Sequence, residues 1–85
     1  MAKPIIFSKH SRFQMVERGA LEEEVIEAIK TGETVPAKKG RKGYRKNFQY
    51  NNHWSEKFYH IKQVVPVVIE ATDTITVVTV YTFFF

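Results

Sequence analysis

The sequence predicts a single α+β domain in which two N-terminal helices pack on a four- to five-stranded antiparallel sheet. Three observations carry that reading. The chain has 85 residues, enough for one core. Helical periodicity is confined to Ser8–Gly32, and each helix ends near a glycine. From Glu33 onward the period shortens to two and β-branched and aromatic residues dominate. With 44% hydrophobic and 14% aromatic residues, the composition suits a packed core and argues against disorder.

The elements follow in order. Pro4–Phe7 is a short apolar run, expected at a sheet edge because proline cannot donate to a ladder. Ser8 is an N-cap residue, so helix one starts at about Lys9 and ends at Arg18, before Gly19. Phe13 and Val16 are expected to face the core. His10, Gln14, Glu17 and Arg18 share a polar stripe about 100° wide. Helix two is expected from Leu21 to Lys30 and stops at Gly32. Glu22, Glu23 and Glu24 suit its first turn and Lys30 its last, where each sign matches the helix dipole. Leu21, Val25, Ala28 and Ile29 form its apolar stripe, with Glu23, Glu24 and Glu27 opposite.

Glu33–Lys39 reads as a strand interrupted at Pro36. Gly40 and Gly43 flank Arg41-Lys42 and suggest a hairpin turn. Tyr44, Lys46, Phe48 and Tyr50 alternate with Arg45, Asn47 and Gln49, as in a strand. Asn51-Asn52-His53 is expected to turn. Lys57–Glu70 is strand-rich, with a break or bulge expected near Pro66. Ala71–Thr74 forms the next turn. Ile75–Phe83 is the expected central strand, Ile75, Val77, Thr79 and Tyr81 alternating with Thr76, Val78, Val80 and Thr82. Short connections favour an antiparallel meander with both helices on one face.

Charge is unevenly distributed. Residues 17–33 hold six of the nine acidic residues. Residues 34–62 hold eight basic residues against Glu56 alone, or +7. Six of the eight crowd into the hairpin: Lys38, Lys39, Arg41, Lys42, Arg45 and Lys46. Such a patch attracts a polyanion, and the neighbouring Tyr44, Phe48 and Tyr50 add rings on which unpaired bases stack. A merely solvated basic loop, and rings that only fill a core, are the plainer alternatives.

Other classes lose ground. Without cysteine there is no disulfide, thiolate metal site or cysteine nucleophile. Three histidines at 10, 53 and 60 fit no zinc spacing, so no metal or cofactor is expected. No phosphate loop, nucleophile elbow or paired-carboxylate pattern occurs. The N-terminal run is too short for a signal peptide, and no apolar run approaches the roughly 20 residues that span a bilayer, so a cytoplasmic, membrane-free location is expected. Phe83-Phe84-Phe85 must pack onto the domain or bury in a partner or second copy, which makes a homodimer through the last strand an open expectation.

The run His10-Ser11-Arg12-Phe13-Gln14-Met15-Val16-Glu17-Arg18-Gly19-Ala20 resembles the opening of the DUF4258 family. Glu22–Gly32 resembles its second helix, and Ile75–Tyr81 its closing strand. The likeness spans about residues 7–82 of one domain covering 1–85. It implies a compact fold similar to the RelE, ParE and barnase-like toxins, whose members are mostly ribonucleases or modules held by an antitoxin. Carried over by position, it points to His10 and Arg18 on helix one and to Thr79 and Tyr81 on the last strand. The segment 34–72 departs from the family's usual short form.

The expectation is therefore a toxin-like endoribonuclease that cleaves RNA without metal. His10 would be acid or base, Arg18 a phosphate holder, and Tyr81 an orienting group or proton donor. The basic hairpin would bind RNA or a ribosomal surface. The alternative is a non-catalytic RNA-binding or protein-interaction module.

Overall fold

The computed structural model describes residues 3–85. Along the chain come β1 (Ile5–Phe7), α1 (Lys9–Arg18), α2 (Glu22–Thr31), β2 (Glu33–Val35), β3 (Lys42–Trp54), β4 (Lys57–Glu70) and β5 (Ile75–Phe84). The strands form one sheet in the order β1-β5-β4-β3-β2. Three pairings are antiparallel, as expected, but β1 runs parallel to β5. The sheet is therefore mixed. The two helices carry the chain from one sheet edge to the other, which leaves β1 beside the last strand.

Local chemistry sets the helix ends. The Ser8 hydroxyl accepts from the Ser11 N–H at 3.1 Å, and Gly19 closes α1 in the left-handed conformation (φ 72°). At the start of α2 the Glu24 carboxylate accepts from the Leu21 N–H at 2.9 Å. Leu21, expected in the apolar stripe of α2, is its N-cap and 54% exposed, and Glu24, expected on the opposite face, turns in to Lys62. Val25 and Ala28 are fully buried, and at these two positions α2 packs as its periodicity predicts.

Helix α1 does not. Its buried residues are Ser11, Gln14 and Met15, while Phe13 and Val16 are 62% and 81% exposed. The expected core face points to solvent. The cause lies in β5, whose edge beyond Val77 has no neighbouring strand among the described residues. A buried strand edge needs hydrogen-bond partners. Gln14 supplies one by accepting from the Val80 N–H at 2.9 Å, and Arg18 donates to the Val80 carbonyl at 2.8 Å. Polar satisfaction outranks apolar periodicity here.

Two further expectations are corrected. Asn51-Asn52-His53 is not a turn but a bulged part of β3: register slips between Gln49 and Asn52, and Asn51 takes φ 46°. The reversal comes at Ser55-Glu56, both left-handed (φ 53° and 70°), which fits the twist of a tight hairpin. The strand β4 runs unbroken through Pro66, which is fully buried. Its missing N–H coincides with a lapse in β3–β4 pairing between Gly43–Val67 and Lys46–Val64. The irregularity expected near Pro66 is present in the pairing to β5: register shifts between Val67–Thr79 and Val68–Val77, and the extra residue, Val78, is on β5. That extra residue resets the alternation, so Val77 and Val80, three apart, are both fully buried.

The core lies between the helices and one sheet face. It contains Phe7, Met15, Ala20, Val25, Val64, Val68, Val77 and Val80. Each fully buried valine contributes about 1.5–3 kcal/mol. The other face of the sheet, with Arg45, Val65, Tyr81 and Phe83, carries no helix among the described residues.

Candidate nucleic-acid interface

Arg18 and Tyr81 meet, and His10 stands apart. Two turns of α1 separate His10 from Arg18, about 12 Å along the axis. Arg18, in the last turn, places its guanidinium 5.3 Å from the centre of the Tyr81 ring. One nitrogen is spent on the Val80 carbonyl, which leaves the remaining donors of the fork available. Tyr81 is 45% exposed. His10 is exposed near the first turn and has no hydrogen-bond partner among the described residues. The expected three-residue constellation thus reduces to a pair. Thr79 lies just past the bulge, opposite Val67.

The basic hairpin divides into two halves. Lys38, Lys39 and Arg41 lie in an exposed turn, closed by the Arg41 N–H donating to the Lys38 carbonyl at 2.9 Å with Gly40 at φ 82°. No carboxylate pairs with these three among the described residues. The other three cations are occupied. Lys42 pairs with Glu70 at 2.8 Å, Arg45 donates through Nε to Glu33 at 2.7 Å, and Lys46 reaches Glu27 at 3.1 Å. The acidic segment and the basic segment that sequence kept apart are folded against each other. These contacts move protonation equilibria. Hydrogen bonds from Lys3 and Lys42 hold the Glu70 carboxyl down at about 2, and Glu70 in turn raises the Lys42 ammonium. Thr31 and Lys46 lower the Glu27 carboxyl.

Lys62, counted in sequence with the basic surface, points inward. Its side chain is 5% exposed and donates to the Gly19 carbonyl at 2.8 Å and to Glu24 at 2.9 Å. It ties the α1–α2 connection to the sheet and contributes nothing to the surface field.

The aromatics also sort by face. Tyr44 and Phe48 pack against the core, so they are not free to stack on bases. Phe84 stacks on Trp54 (ring centres 5.2 Å apart) and meets Tyr50 and Tyr59. The terminal run thus packs onto its own domain through Phe84, and Phe85 pairs with Ile61 through backbone hydrogen bonds of 2.9 and 3.0 Å. Phe83 and Phe85 stay 48% and 62% exposed on the helix-free face. Sequence reasoning missed that file because the Val78 bulge was not legible.

On the helix side, a cavity of about 280 Å³ is lined by Lys3, Ile5, Ile29, Lys30, Tyr44, Glu70 and Ile75. Among the described residues no cluster of His, Cys, Asp or Glu is arranged to hold a metal, and no helix is long and apolar enough to cross a membrane.

Comparison with known proteins gives a family match. A family described as a domain of unknown function, DUF4258, covers residues 7–82. No curated protein and no solved structure matches the chain. The matched span runs from the end of β1 through both helices into β5, and so takes in the α1–β5 contact that joins Arg18 to Tyr81. The chain belongs to the DUF4258 family.

Proposed function

We propose that this domain binds RNA, holding the phosphate backbone with the cations of the Lys38–Arg41 turn. One observation carries the reading: Lys38, Lys39 and Arg41 project from a single exposed turn and have no carboxylate partner among the described residues. Unpaired cations so placed recruit a polyanion by releasing its counterions. Three phosphate contacts to a single strand give a slope of about −2 in log affinity against log salt. Fluorescence anisotropy of a labelled RNA across a salt series measures that slope. Reversing the charge of all three residues is expected to flatten it, and a salt-independent affinity of the unaltered protein refutes the proposal.

A second reading, a metal-independent endoribonuclease of toxin type, is favoured by the Arg18–Tyr81 pair. In that reaction the ribose 2′-oxygen attacks the adjacent phosphorus and the 5′-oxygen leaves. The proton leaving the 2′-hydroxyl passes to solvent water, the departing 5′-oxygen takes one from a protein donor, and charge on the phosphoryl oxygens must be steadied. The free donors of Arg18 suit the phosphoryl oxygens, and the hydroxyl of the half-exposed Tyr81 suits a proton donor. His10 has no part in this pair. Cleavage in the presence of a chelator, lost in Tyr81→Phe and Arg18→Lys, is the expected result. Cleavage that survives both substitutions rules the pair out.

A further inference from the structure

We propose that the helix-free face of the sheet is a platform on which bases of single-stranded RNA stack, with Tyr81, Phe83 and Phe85 as the rings. This rests on the RNA-binding reading and names the form of RNA and where its bases lie.

The rings form a file. Tyr81, Phe83 and Phe85 occupy alternate positions and are 45%, 48% and 62% exposed. Alternate residues of a strand stand about 6.6–6.8 Å apart. That is about twice the 3.4 Å rise of stacked bases, so a regular duplex does not match the file and an extended strand with splayed bases does. The cross-strand rows supply the rest. Tyr81 lies opposite Val65. Phe83 lies opposite Gln63, which lies opposite Asn47. The Gln63 and Asn47 amides, joined at 2.9 Å, retain donors and acceptors for base edges.

Charge selects the occupant. The β3, β4 and β5 side chains on this face include no carboxylate, and Glu33 at its margin is held by Arg45. Arg18 sits against the Tyr81 ring. A ring flanked by an arginine with donors to spare, on a face without an unpaired carboxylate, complements a polyanion carrying exposed bases. The Lys38–Arg41 turn lies beyond the start of β3, so a strand crossing the sheet diagonally meets the rings with its bases and the turn with its phosphates.

The test compares a short uridine-rich single strand with a duplex of equal length, using the whole 85-residue chain. Phe83→Leu and Phe85→Leu keep apolar bulk and remove the ring, and both sites are exposed enough for the fold to persist, as circular dichroism will check. Each is expected to weaken single-strand binding about tenfold while duplex binding changes little. If the unaltered protein binds no RNA, the platform and the RNA-binding reading fall together. If it binds RNA through the turn and both leucine variants bind equally well, the platform alone falls. Sedimentation decides the protein alternative: a dimer that Phe83→Ser converts to monomer makes the face an interface between copies and overturns the platform.

Discussion

Replacing Lys62 by methionine tests whether the α1–α2 connection is clamped by a buried charge. The ammonium is almost out of water and is bound to two acceptors, the Gly19 carbonyl and Glu24, whose side chain is 16% exposed. Removing one partner of a buried pair costs about 3–5 kcal/mol, because the other charge keeps its desolvation penalty without its counter-charge. Two features pull toward the lower end. Methionine fills most of the vacated volume, and Glu24 keeps its bond from the Leu21 N–H. A loss of about 3 kcal/mol is expected, equivalent to a drop of about 12–24 °C in Tm for a domain this small. Urea unfolding followed by fluorescence of Trp54, the one tryptophan, measures it. The ring lies against Gly19, so the probe reports on the clamp itself. Adding Glu24→Gln to Lys62→Met should restore part of the loss, since the stranded carboxylate is then neutral. The exposed Arg12–Glu22 pair is the control, worth about 0–1 kcal/mol. If Lys62→Met costs no more than breaking that control pair, the clamp argument is refuted.

Three other outcomes are expected. The Glu70 carboxyl is lowered from 4.5 to about 2 in the fold, so the Lys3–Glu70–Lys42 contacts stabilise above the ordinary value and are lost as pH falls from about 4.5 toward 2. Urea midpoints should fall across that window, and Glu70→Gln should remove that part of the slope; an unchanged slope refutes the assignment. Gly32→Ala should cost about 1–3 kcal/mol, because the added methyl meets the backbone oxygens of Ala28 and Arg45 at 2.4 and 2.6 Å, neither of which can rotate away; thermal melting at or above the parent Tm contradicts this. Gln14→Ala should cost about 1–3 kcal/mol by stranding the Val80 N–H. Hydrogen exchange at Val80 checks it, and unchanged protection argues against the edge cap.

Local signals predicted much of this fold. Ser8, Gly19 and Gly32 placed the helix ends to within a residue, and β-branched runs placed β4 and β5. What failed depended on partners far along the chain. Phe13 and Val16 follow core periodicity, yet the unpaired edge of β5 draws Gln14 inward instead. The Ser55-Glu56 reversal lacks the Asn-Gly signature, so the asparagines before it drew the expectation to the wrong place. Pro66 occurs where pairing to β3 lapses, a relation set by register. Within the candidate site, the chemistry of Arg18, Tyr81 and the basic turn was visible in their residue types. Their juxtapositions were not, because ion pairs such as Lys46–Glu27 join segments that sequence separates.

The Val78 bulge makes sidedness a matter of parity. Every residue of β5 after it owes its face to one inserted position. Deleting Val78 would leave composition, length and hydrophobicity nearly unchanged, yet it would exchange the two sides of the strand's end. Val80, Thr82 and Phe84 would surface, and Tyr81, Phe83 and Phe85 would press toward the helices. In a chain this small, a single count decides which rings meet the core and which meet the outside.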